Sequence, residues 1–62
     1  MKTWRFELTH YQYYIVVNYY DRFNNYSVSL RTTTGLEADF KSYKNKGAVN
    51  RYLKSWGLEE RI

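Results

Sequence analysis

The chain has no cysteine and no proline, and only three glycines among its 62 residues. Without cysteine there are no disulfides and no thiolate metal sites, and thiol usage says nothing about redox compartment. A lone histidine, His10, makes no zinc site without carboxylates placed around it, so it reads as a solvated turn residue and no cofactor is expected. No apolar run nears the ~20 residues of a membrane span; the longest, Tyr13 to Val17, is strand length. The opening Met1-Lys2-Thr3-Trp4-Arg5 lacks the apolar core of a secretory signal, because Arg5, Glu7 and His10 interrupt it. Linkers, low-complexity tracts and internal repeats are missing too, which leads to the expectation of a single soluble, cytoplasmic domain over residues 1–62. Neither a phosphate-binding glycine loop nor a nucleophile motif occurs. Asp39-Phe40-Lys41 matches the acid-x-Lys pattern of metal-dependent nucleases, with Asp21 as a conceivable second carboxylate. A match of three residues arises readily by chance, and such nuclease cores are usually much larger. The chain therefore reads as a binding protein and not as an enzyme.

Aromatic bulk is plentiful: eight Tyr, three Phe and two Trp. A chain this short buries only about 60% of the surface exposed by its unfolded form. Each aromatic supplies roughly 150–250 Å² of buried area, so a few of them provide most of a small core. Self-association is the other support open to a chain with no disulfide or metal.

Alternation of apolar and polar residues marks the strands. Trp4, Phe6 and Leu8 alternate with Arg5, Glu7 and Thr9, predicting a strand over about 3–9. Tyr13 to Tyr20 is β-branched and aromatic, predicting a second over 13–20. Asp21 to Asn25 carries turn chemistry. Tyr26, Val28 and Leu30 then alternate with serines and Arg31 over about 26–33. After Thr33-Thr34-Gly35, the phase of Leu36, Ala38 and Phe40 predicts a short fourth strand over about 36–41 with Phe40 inward and with Asp39 and Lys41 away from the core. Val49, Tyr52, Leu53 and Trp56 recur at i, i+3, i+4 and i+7, one face of a helix over about 46–56. Asn45 is its expected N-cap and Gly57 its expected C′ residue, with Leu58 placed for a Schellman contact. Glu59 to Ile62 reads as a frayed tail. The expected fold is α+β: a three- to four-stranded antiparallel meander with one C-terminal helix packed on one face. Of the two faces of the second strand, the Ile15, Val17 and Tyr19 row is expected inward, because the other row contains Asn18.

Charge then singles out the helix. From Lys41 to Trp56 every charge is positive, while the rest of the chain sets five basic residues against six acids. Local excess of one sign is what an anionic partner uses. Lys41, Lys44, Lys46, Arg51 and Lys54 are the candidate nucleic-acid contacts, each cation displacing condensed counterions; Lys46, Asn50 and Lys54 fall at i, i+4 and i+8. On the sheet face left open by a single helix, Tyr14, Tyr20 and Arg31 are candidate partner-binding residues, since Tyr gives rigid contact area at small entropic cost. A homodimer through that face is the further alternative.

Two resemblances bear on this reading. The segment Tyr43 to Leu53, following three strands, resembles the end of the small strand-strand-strand-helix domain at the N-terminus of phage-type tyrosine integrases. Tyr43, Asn45, Lys46, Val49, Tyr52 and Leu53 match its order of aromatic, cap, Lys, apolar residue and aromatic-aliphatic pair. The resemblance implies DNA binding, with the sheet entering the groove; here the strand faces offer only Arg5, Arg31 and Lys41 for such contacts. A small, cysteine-free, tyrosine-rich meander with one helix also looks like phage-encoded inhibitors of host defence, some anti-CRISPR proteins among them. That likeness implies a host protein as partner.

Overall fold

The computed structural model describes residues 1–62. Strands β1 (Lys2–Leu8), β2 (Tyr13–Tyr20), β3 (Asn25–Thr32) and β4 (Glu37–Tyr43) precede one helix, α1 (Lys46–Ser55). The strands form one antiparallel sheet in the order β1-β2-β3-β4. Three short turns fix this meander. Gln12 and Asn24 take positive φ at the ends of the first two, and Gly35 does so in the third at +93°. Gly35 also donates its amide to the Thr32 carbonyl at 2.8 Å, closing the turn. Gly is the residue that reaches this φ without a Cβ penalty.

Pairing register decides which residues meet. Phe6, Ile15 and Leu30 stand in one row, and Trp4, Val17 and Val28 in the next. Ile15 and Val17 are completely buried, so β2 turns inward the row expected from the position of Asn18. Val49 and Leu53 of α1 close the core over these rows. Tyr11, in the β1–β2 turn, packs edge-on against Trp56 with ring centroids 5.4 Å apart.

The helix ends follow from their residues. Asn45 has extended backbone and its side chain accepts the Ala48 amide at 2.8 Å, as an N-cap does. At the other end the Gly57 amide donates to Lys54 O and the Leu58 amide to Leu53 O, the paired bonds of a Schellman ending.

Two expectations are corrected. Phe40 is not in the core; it is 55% exposed. The register slips between Leu30 and Arg31, so that Asp39 stands opposite Leu30 and Phe40 opposite Ser29. A slip of one residue sends each side chain to the other face. Asp39 and Lys41 consequently lie on the helix side, at the sheet's outer edge, and Phe40 lies on the open side. The strand also runs on to Tyr43, whose ring packs near Tyr52. The second correction concerns residues 59–62, expected as a frayed tail. Leu58 and Ile62 pack against the core. Asn50 holds Ile62 from both sides, accepting its amide at 3.0 Å and donating to its carbonyl at 3.4 Å. The tail is a built part of the fold.

Candidate nucleic-acid interface

Lys44 lies between β4 and the helix cap, Lys46 opens α1, and Arg51 and Lys54 follow in its later turns; all four are exposed. At about 100° per residue, Arg51 and Lys54 point away from the buried Val49–Leu53 stripe. Lys46 and Asn50 rotate toward the tail, and the Asn50–Ile62 bonds show Ile62 seated on this side of the helix. Asn50 is therefore a clamp on the tail and not part of a free basic stripe. The rise from Lys46 to Lys54 is about 12 Å. Duplex DNA carries one charge per about 1.7 Å of axis, so several phosphates fall within that span.

Ion pairing separates these cations. The molecule has two salt bridges, Arg5–Glu7 at 2.6 Å and Lys41–Asp39 at 3.9 Å. Lys41 is thus removed from the set of unpaired basic residues, because the register slip places its partner on the same side of β4. Lys44, Lys46, Arg51 and Lys54 meet no carboxylate. The first turn of α1 contains no acid, so Lys46 sits at the positive end of the helix dipole with nothing to offset it. Lys54, in the last turn, has the favourable sign there.

The open sheet face has a different character. Its rows are Glu7, Tyr14, Arg31 and Glu37; then Arg5, Val16, Ser29 and Phe40; then Thr3, Asn18, Ser27 and Ser42. Many of its polar groups are already paired across strands. Thr3 donates to Asn18 at 2.7 Å, Ser29 to Glu37 at 2.9 Å, and Asn25 to Ser42 at 2.9 Å. The Arg5 guanidinium lies 3.9 Å from the centre of the Tyr14 ring. Arg31 donates to the Gly35 carbonyl at 3.0 Å. The structure brings Tyr14 and Arg31 together as register partners but leaves Tyr20 six residues along the strand, about 20 Å away. His10 is an exposed turn residue. No three of the His, Asp and Glu side chains converge as a metal site.

Sequence reasoning missed Lys2 and Arg61. With Lys46 they border a cleft of about 360 Å³ on the helix side of the sheet. The pattern around Arg61 gave no signal, because the residue gains its position only when the tail folds back along β1. Comparison with protein-family models, with curated proteins and with solved structures returns no match. No helix of the chain is long and apolar enough to cross a membrane.

Proposed function

We propose that this is a small, non-enzymatic binding protein, of phage or mobile-element type, that holds nucleic-acid phosphates through Lys44, Lys46, Arg51 and Lys54. One observation carries the reading: these four cations cluster on and beside α1 with no carboxylate in ion-pair reach, while the two cations that do have partners lie on the strands. Lys46 strengthens it. A cation in the first turn of a helix opposes the macrodipole at a cost of about 0.3–1 kcal/mol, a cost that a bound anion relieves. The experiment is a titration of a labelled duplex and a labelled single strand at several salt concentrations. The Lys46→Glu and Lys54→Glu double variant loses binding while its circular dichroism stays that of the parent. Undiminished binding by the folded double variant overturns the reading.

A second reading has its own observation. Phe40 faces the open side, 55% exposed, in the row of Val16 and Ser29. An exposed Phe40, with Val16 across Ser29 in the same row and Tyr14 in the next, suits a protein partner, as for an inhibitor of host defence or an adaptor, or a second copy of the chain. Under that reading, affinity for the partner depends little on salt and falls with Tyr14→Ala or Tyr20→Ala. A homodimer shows twice the chain mass with no partner added.

A further inference from the structure

At the end of the sheet where β1 begins, three cations meet over an aromatic floor. Lys2, Lys46 and Arg61 come from β1, the first helical turn and the tail, and border one cleft of about 360 Å³. Trp4, Tyr19 and Tyr26 line the same cleft, and Ile62 closes it. The volume lies at the small end of the range for ligand sites, about 300–1,000 Å³. None of the three cations makes a salt bridge, and no acidic side chain lines the space. Even with a carboxylate on Ile62, the rim carries three positive charges against one, and the Ile62 carbonyl is already engaged by Asn50. Like charges drawn together in this way repel, and an anion between them removes the repulsion.

The floor is held in place before any ligand arrives. Tyr19 and Tyr26 are register partners with ring centroids 4.6 Å apart. The Tyr19 hydroxyl donates to Asn24 at 3.0 Å, which fixes its ring. The Lys2 ammonium already lies 5.2 Å from the centre of the Trp4 ring. Fixed aromatic walls lower the ordering cost of binding, and a flat heterocycle stacks on such walls whatever its identity.

The molecule's other cleft is a contrast within the same fold. It is bordered by Arg5, Glu7, Glu59 and Glu60, and its one cation is bridged to Glu7. The tail thus sends Glu59 and Glu60 to the cleft beside Arg5–Glu7 of β1 and Arg61 to the cleft beside Lys2 and Trp4.

We propose that the cleft bordered by Lys2, Lys46 and Arg61 binds a 5′-phosphorylated nucleotide, its phosphate among the three cations and its base against the Trp4, Tyr19 and Tyr26 wall. Two sources supply that chemistry: a free nucleoside monophosphate and the phosphorylated end of a strand. Where the source is a strand end, the site deepens the phosphate-binding role of α1 and rests on it; as a site for free nucleotide it stands apart.

The test follows the Trp4 indole resonance during titration of the full chain with adenosine monophosphate, adenosine, and a short single strand bearing either a 5′-phosphate or a 5′-hydroxyl. The monophosphate, or the phosphorylated strand, shifts Trp4 and binds at least about tenfold more tightly than its unphosphorylated counterpart, as expected when charge-assisted bonds are made. Response to the monophosphate identifies free nucleotide as a ligand; response to the phosphorylated strand alone identifies a strand end. The Lys2→Ala and Arg61→Ala double variant loses this preference, both positions being exposed and outside the core. For adenosine monophosphate, which has no strand for α1 to hold, Arg51→Glu with Lys54→Glu leaves the preference over adenosine intact, because neither residue lines the cleft. Equal affinity with and without phosphate, an unmoved Trp4 at millimolar ligand, or full binding by the Lys2 and Arg61 variant each overturns the proposal.

Discussion

Phe40 and Leu53 are both large and apolar, and they occupy opposite situations. Leu53 is completely enclosed between helix and sheet, whereas Phe40 lies on the open face at 55% exposure. Leu53→Ala removes packed atoms and leaves a cavity, a change that costs about 2–5 kcal/mol. In a domain of this size each kcal/mol moves the melting temperature by roughly 4–8 °C, so this variant melts at least about 8 °C lower or fails to fold. Phe40→Ala removes a side chain already largely in water and costs less than about 1 kcal/mol. Melts followed by circular dichroism compare the two directly. A loss at Phe40 as large as that at Leu53 contradicts the observed register of β4. The same logic fits the two buried serines of β3: Ser27 and Ser29 sit low on the open face between larger neighbours, and Ser29 remains satisfied by Glu37.

At the scale of elements, the parts held by local chemistry were the legible ones. Alternation located β1, β2 and β3, and the i, i+3, i+4, i+7 stripe with Asn45 and Gly57 located α1, all to within a residue or two. In β4 the alternation itself misled. The slip at Leu30 and Arg31 inverts the phase, and no residue type marks a bulge with the clarity of a Gly turn. Tyr43 was the available clue: it shares a phase with Lys41 and Asp39, and its approach to Tyr52 anchors that phase. The tail was hidden for a different reason. Leu58 and Ile62 are separated by Glu59, Glu60 and Arg61, a spacing too short to establish any period, so only the folded helix reveals their partner. Asn50 supplies it. Asn50→Ala removes both bonds to Ile62 and, at about 0.5–1.5 kcal/mol each, lowers stability by roughly 1–3 kcal/mol. Hydrogen exchange gives a sharper readout: the Ile62 amide is protected in the parent and exchanges freely in the variant. Asn45→Ala is a second element-level case, losing the cap bond to Ala48 and about 1 kcal/mol. Gly47→Ala works in the opposite direction. A Cβ there meets Asn45 Oδ1 at 3.4 Å, ordinary contact distance, and the backbone is helical, so the melting temperature rises. An unchanged or lower value means that the first turn already resists the added methyl.

Across the whole molecule, the net charge of +4 is less informative than its distribution. Of the strand cations, Arg5 and Lys41 are bridged to acids, the tail places Glu59 and Glu60 in one cleft and Arg61 in the other, and the helix cations remain without partners. Counterion release turns this partition into a number. Four phosphate contacts to a duplex give a slope of log Kobs against log salt of about −3.6, at −0.9 per contact. Removing one contributing cation, as in Lys54→Ala, brings the slope to about −2.7 by the same rule. Lys41→Ala leaves it close to the parental value, because Asp39 already compensates that charge at 3.9 Å. These paired measurements distinguish position from mere net charge, since both variants lower the total by one. If Lys41→Ala and Lys54→Ala flatten the slope equally, the protein acts as a diffuse polycation and α1 has no special place in binding. If the parental slope is near zero while a protein ligand is held tightly, the open face with Tyr14 and Phe40 is the working surface. A slope near −3.6 that responds to Lys54 and not to Lys41 requires the arrangement seen in the fold, in which the register of β4 decides which cations remain free.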